Sequence, residues 1–154
     1  MTPLSLSHIS GTSRQTDIAA LFDVDNTLLP GQASEVRFFR FLWKRGLVGW
    51  RELRDSVGWV LRNAPPVSLH PLRERKLYLA GKAAAEVESL AEEFCRAELF
   101  PRLSAQGLAR MDEHRRAGHH IVLVTGSLDF LIAPLAALLE VPTLLAARLE
   151  QQER

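Results

Sequence analysis

The run Ile18-Ala19-Ala20-Leu21-Phe22 is apolar at every position and then stops on Asp23-Val24-Asp25-Asn26-Thr27. Strand side chains alternate between the two faces of a sheet, so an unbroken apolar run needs cover on both faces, which is the habit of parallel sheets. A second run of this kind, Ile121-Val122-Leu123-Val124, stops on Thr125-Gly126-Ser127. Parallel neighbours must be joined by long crossovers, usually helical. These two runs and the stretch between them confine the chain to the α/β class.

The intervening sequence supplies the helices. Ser34 can cap a helix running to about Arg45, with Val36, Phe39, Leu42 and Trp43 at helical spacing and Gly46 as its stop. Further helices are predicted from Trp50 to Arg62, from Pro71 to Ala80, from Ala84 to Phe100 and from Ala105 to Ala117. Asn63-Ala64-Pro65-Pro66, Gly81, Pro101 and Gly118 punctuate them. Beyond the second strand, Thr125-Gly126-Ser127 is expected to turn sharply into a helix over Leu128–Leu139. Thr143 to Ala146 then reads as a third strand. Residues 33–102 are too many for one crossover helix and read as a helical cap inserted after the first strand. Segments 17–32 and 103–154 then form a Rossmann-like parallel core, and 1–16, rich in Ser and Thr, form a flexible tail.

At 154 residues the chain is one domain, or one compact core with an insertion. A hydrophobic share of 47%, a charged share of 24% and a net charge of +1 give no pull toward nucleic acid. The N-terminal stretch lacks a signal peptide's basic start and apolar centre, and no apolar stretch reaches the roughly 18 residues of a membrane span. A single cysteine, Cys95, excludes an internal disulfide and suits a reducing cytoplasm; it is expected to pack in a helix rather than react.

In an extended strand Asp23 and Asp25 leave the same face. Two converging carboxylates there need a cation, a shared proton or a phosphate-polarising task. Open α/β sheets bind ligands at the carboxyl ends of their strands. Thr125, Gly126 and Ser127 would add a hydroxyl and bare backbone just before a helix N-terminus, where amides and the helix dipole favour an anion such as phosphate. Each motif has a plainer reading as well: Asp25-Asn26 as turn formers, Thr125-Gly126-Ser127 as a helix cap, and Asp129 as a helix-start residue. Trp43, Trp50 and Trp59, interleaved with Arg40, Lys44, Arg45, Arg51 and Arg54, are read as cap packing with solvated arginines. His114, His119 and His120 are read as a solvated helix end.

Phe-Asp-Val-Asp-Asn-Thr-Leu-Leu at 22–29 resembles motif I of the haloacid dehalogenase-like hydrolases, and Val-Leu-Val-Thr-Gly-Ser at 122–127 resembles their motif II. Glu113–His120 and Leu145–Glu150 resemble the phosphoserine-phosphatase-like subfamily IB. The resemblance implies a Mg²⁺-dependent phosphomonoester hydrolase acting on a small phosphorylated metabolite. It implies Asp23 as nucleophile through an aspartyl-phosphate and Asp25 as general acid and base. The Asp23 carboxylate and the Asp25 carbonyl would ligate Mg²⁺, and Thr125, with Gly126 and Ser127, would hold the phosphoryl group.

The same family carries a motif III lysine and motif IV acids after motif II. The lysines here are Lys44, Lys76 and Lys82, all before it, and the acids after Thr125 are Asp129, Glu140, Glu150 and Glu153. Losing a cation at about 4 Å forfeits on the order of 4 kcal/mol of attraction at an effective dielectric near 20. The chain therefore reads as truncated before motifs III and IV, with an incomplete core and impaired activity unless a partner or a further C-terminal segment completes the site. Gln32 and Glu35 stand where subfamily IB members often read the substrate with an acid, so phosphoserine is not favoured. The rivals are a non-catalytic remnant that binds a ligand or protein, and a membrane-associated lipid-phosphate protein, since similar domains occur fused to acyltransferases.

Overall fold

The computed structural model describes residues 18–49, Arg54, Leu79 and 83–148. Three strands form one parallel sheet in the order β1 (Ala19–Asp23), β2 (His120–Leu128) and β3 (Thr143–Ala147). Ala19 stands opposite His120 and Asp23 opposite Val124; across the other edge Val122 faces Thr143 and Val124 faces Leu145. The fold is the α/β, Rossmann-like architecture expected, with a sheet of three strands among the described residues.

The helices are α1 (Ser34–Lys44), α2 (Ala84–Phe94), α3 (Ala105–Arg116) and α4 (Asp129–Leu138). α3 rests on β1 and β2, and α4 on β2 and β3. Both crossovers step the same way along the sheet, and right-handed crossovers then place both helices on one face. Burial agrees: Ala20, Ile121 and Leu123 are buried, whereas Leu21 is 64% exposed and Leu145 55%. Phe38 of α1, Phe94 of α2 and Phe130 of α4 meet with centroids 5.2 and 6.1 Å from Phe38, so α1 and α2 share one apolar core with the sheet's covered face.

Several local expectations change. Ser34 does not cap α1: Ala33 is the N-cap and makes no side-chain cap bond, while Ser34 is the first helical residue, fully buried. The helix expected over Ala84–Phe100 is α-helical only to Phe94. It continues as a π-helical turn, Cys95–Leu99, and a 3₁₀ turn, Phe100–Arg102. The second strand does not end at Val124 but runs on to Leu128. Three residues separate Val124 from Leu128 on β2 but only Ala146 separates Leu145 from Ala147 on β3, so Thr125-Gly126-Ser127 sit in a bulge. The ladder of β3 carries the strand past the point where the glycine suggested a turn.

Ser104 caps α3, accepting from the Gly107 N–H at 3.2 Å, and Gly118 closes it in a left-handed conformation (φ 75°). The helices predicted over 50–62 and 71–80 lie, apart from Arg54 and Leu79, outside the described residues, as does the tail 1–16. Among the described residues no helix is long and apolar enough to cross a membrane.

Candidate functional site

β1 delivers Asp23 to the carboxyl edge of the sheet, and the chain then folds back on itself. Leu28 N–H donates to the Asp23 carbonyl at 3.3 Å, Leu29 N–H to the Val24 carbonyl at 2.8 Å, and Asn26 N–H to the Leu29 carbonyl at 2.9 Å. Asn26 takes the left-handed conformation (φ 64°) this turn demands, which asparagine tolerates better than most residues. Leu28 and Leu29 are buried and pin the loop from below, and Ser104 N–H donates to the Leu28 carbonyl at 2.9 Å. The loop is thus fixed at once to the sheet, the core and the start of α3.

The strand stops at Asp23, so the two-residue alternation does not extend to Asp25, and the two carboxylates enter different surroundings. Asp23 is exposed. Among the described residues its carboxylate accepts one hydrogen bond, at Oδ2 from the Thr27 hydroxyl at 2.8 Å. Asp25 is half-buried and fully engaged. The Ser34 N–H donates to its Oδ1 at 2.7 Å, and the hydroxyls of Ser127, Ser34 and Thr125 approach its Oδ2 at 2.7, 3.2 and 3.4 Å. Each hydroxyl has one proton to give. The Ser127 proton goes to Asp25 along the shortest of these contacts, and the Ser34 proton is best placed toward Ser127 Oγ at 2.8 Å. The carboxylate also caps α1, where the helix dipole favours negative charge.

Of the predicted site residues, the structure links Asp25, Thr125 and Ser127 by hydrogen bonds and adds Ser34; Asp23, opposite Val124 in the ladder, has its hydrogen bond from Thr27 instead. Gly126 is exposed on the bulge, and a Cβ there would meet nothing within 4 Å. The expectation that Thr125-Gly126-Ser127 lie at a helix N-terminus is corrected. α4 begins at Asp129, whose own Oδ1 accepts from Phe130 N–H at 2.7 Å and whose Oδ2 lies 3.5 Å from Arg148. Thr125 and Ser127 are buried, and the Ser127 N–H donates to Thr125 Oγ1 at 3.1 Å. Sequence reasoning missed Ser34 and Thr27. Thr27 follows Asp23 by four residues and was within reach of a turn argument; nothing local connects Ser34 to Asp25.

Mg²⁺ prefers oxygen ligands and keeps several waters, so one or two protein oxygens suffice at a phosphoryl site. Asp23 Oδ1 makes no hydrogen bond among the described residues, and the Asp25 carbonyl takes no part in the loop's backbone bonds. Those two oxygens fit the ion, although no group of three or more His, Cys, Asp or Glu gathers among the described residues. The histidines lie elsewhere: His114 Nδ1 and His119 Nδ1 are 2.8 Å apart, His114 meets Phe22 edge-on, and His120 opens β2 at the opposite end of the sheet. Trp43 packs against Phe39 and Arg45 lies over the Phe41 ring while pairing with Glu93; Trp50, Arg51 and Trp59 lie outside the described residues.

A family model described as haloacid dehalogenase-like hydrolase matches residues 20–154. A curated relative named histidinol-phosphatase, from Neisseria meningitidis serogroup C (strain 8013), is 28% identical over 134 residues, taking in 85% of this chain and 60% of that protein. A solved structure of a protein of unknown function from Bordetella pertussis Tohama I matches with a TM-score of 0.70 at 29% identity, over 89% of this chain and 62% of that one. A phosphoserine phosphohydrolase-like protein from Francisella tularensis subsp. tularensis SCHU S4 shares the fold, with a TM-score of 0.54 at 18% identity over 89% and 61% of the two chains. The chain thus spans about three fifths of the length of the proteins it matches.

Proposed function

Because the chain belongs to the haloacid dehalogenase-like hydrolase family, we propose that it carries the nucleophile half of a phosphomonoester hydrolase acting on a small phosphorylated metabolite. The observation that carries this reading is the split between its two aspartates: Asp23 is exposed with a free carboxylate oxygen, while Asp25 is bound into a hydroxyl network one turn away. Asp23 attacks phosphorus and forms the aspartyl-phosphate. Asp25 gives a proton to the leaving alkoxide and later takes one from water, releasing a serine contact to do so, since both its oxygens are in use. Thr125, Ser127 and the exposed backbone at Gly126 receive the phosphoryl oxygens. Asp23 Oδ1 and the Asp25 carbonyl would hold Mg²⁺, which would supply neutralising charge to those oxygens.

A lysine and further acids come, in this reading, from a second segment or partner. Two observations support that. The proteins this chain resembles are longer than the part it matches. One face of the parallel sheet leaves Leu21 and Leu145 exposed, where parallel sheets are normally covered. The cap assignment for 33–102 and a cytoplasmic setting are part of the same proposal. A non-catalytic binding module is the second reading, favoured by the full occupation of Asp25's oxygens.

The test is release of nitrophenolate from 4-nitrophenyl phosphate, with and without Mg²⁺, by this chain and by Asp23→Asn. Mg²⁺-dependent turnover lost in Asp23→Asn supports the hydrolase. Absence of turnover in the folded chain rejects catalysis by this polypeptide alone and leaves the binding-module reading.

A further inference from the structure

A cleft of about 160 Å³ opens between α1 and the Cys95–Arg102 turns, and neither Asp23 nor Asp25 lines it. Gln32, Arg37, Arg40, Lys44, Glu98 and Arg102 line it, with the edge of Phe41 as its apolar part. Four cations thus share the cleft with one carboxylate. Arg37, Arg40 and Lys44 recur at helical spacing and occupy one face of α1.

The partners of these groups decide what the cleft accepts. Arg37 Nε donates to the Gln32 carbonyl at 2.9 Å and its Nη2 to the Pro30 carbonyl at 3.0 Å, so its charge is held in place by neutral oxygens. Arg40 Nη1 donates to Gln32 Oε1 at 3.0 Å, again a neutral acceptor. Arg102 alone pairs with the carboxylate, Glu98 Oε2, at 2.8 Å. No carboxylate among the described residues pairs with Arg37, Arg40 or Lys44. Three like charges around one concavity, two of them held by hydrogen bonds to neutral oxygens, repel each other, and an oxyanion placed among them relieves that repulsion while accepting forked guanidinium bonds.

We infer that this cleft binds an oxyanion group, a phosphate or carboxylate carried by a small metabolite, at a place distinct from Asp23. Gln32, which lines the cleft, follows closely on the Asp25 loop, and α1, whose first amide sits on Asp25, supplies Arg37, Arg40 and Lys44 to it. Arg37 and Arg40 therefore lie about 5 and 9 Å along the α1 axis from that amide. The oxyanion is either the far end of the phosphorylated substrate or a separate effector.

Inorganic pyrophosphate, titrated into the 154-residue chain in the presence of a chelator and followed by amide NMR shifts, tests the inference. Shifts should centre on residues 32–44 and 98–102. Arg40→Gln/Lys44→Gln should weaken binding about tenfold or more while its spectrum stays dispersed, and Asp23→Asn should bind as the parent does. 3-Phosphoglycerate, a phosphomonoester with a second oxyanion, added to the pyrophosphate-bound protein separates the two sources: shifts at residues 23–27 and 125–130 that appear together with loss of pyrophosphate assign the cleft to the far end of the substrate, and shifts there with pyrophosphate retained assign it to an effector. Shifts confined to residues 23–27 and 125–130, or an affinity unchanged in the folded double variant, would overturn the inference. Because the pyrophosphate arm needs no turnover, it stands or falls separately from hydrolysis at Asp23.

Discussion

Ser34 places its backbone N–H on Asp25 Oδ1 at 2.7 Å and turns its hydroxyl toward Asp25 Oδ2 at 3.2 Å and Ser127 Oγ at 2.8 Å. One residue thereby ties the loop after β1, the start of α1 and the bulge of β2 into a single unit. Ser34→Ala keeps the amide bond but removes the hydroxyl from a fully buried position. Denaturant unfolding should show a loss of about 1–2 kcal/mol, and Ser34→Ala/Ser127→Ala should cost less than the sum of the single changes. Additive losses would mean that the two hydroxyls do not act as a pair.

The two aspartates should separate cleanly in stability. Asp25→Asn removes charge from a carboxylate that accepts from Ser34, Ser127 and Thr125 at the start of α1, and should cost about 1–3 kcal/mol. Asp23→Asn alters an exposed group with one hydroxyl partner and should stay within about 0.5 kcal/mol. Urea midpoints of the two variants measure the difference; equal losses would contradict the split described above.

Gly107 lies in α3 where a Cβ would come 2.8 Å from Leu28 Cδ2, and Leu28 is wholly buried. Alanine would normally stabilise a helix interior relative to glycine by about 1 kcal/mol. Here Gly107→Val should instead destabilise by about 1–3 kcal/mol, because the branched side chain must displace Leu28 and with it the Asp23–Leu29 loop. A thermal midpoint at or above the parent's would show that Leu28 can give way freely.

Glu140 adopts a left-handed conformation (φ 53°) just after α4, with Val141 N–H returning to the Ala136 carbonyl at 2.9 Å. That arrangement normally favours glycine. Glu140→Gly should raise stability by about 0.5–1 kcal/mol, read as an increase in denaturant midpoint at unchanged slope.

Cys95 is fully buried, and that burial pushes its thiol up to about 11, opposed weakly by the charge of Arg96. It should resist alkylation at pH 8 in the native chain and react at once in denaturant. The unfolded thiol ionises near 9, so the thiol's contribution to stability is complete below that pH and is lost as pH rises from about 9 to 11. Stability measured across that window should fall more steeply in the parent than in Cys95→Ala, and identical slopes would count against the burial argument.

Much of the fold follows from residue order alone. The apolar runs before Asp23 and Thr125 specify parallel strands, because residues apolar on both faces are the habit of such sheets, although Leu21 and Leu145 leave one of those faces exposed here. Gly46 and Gly118 stop their helices at left-handed positions for the reason sequence gives, the absence of a Cβ. Asp23, Asp25 and Thr125 also announce themselves, since ionisable or polar groups at strand ends must meet a partner or a ligand.

What the sequence could not assign is which partner each of them meets. Period-two alternation put both aspartates on one face, but alternation holds only while the ladder holds, and the ladder ends at Asp23. Thr125-Gly126-Ser127 carried a turn signal, yet pairing with β3 drew them into the strand as a bulge. Ser34 looked like a cap for its own helix and became a ligand of Asp25, nine residues earlier, because the loop's return brings a carboxylate to the helix start. Local rules fix which groups need satisfying. Which group satisfies them depends on contacts between residues far apart in the chain, and those exist only once the sheet, the loop and α1 have packed together.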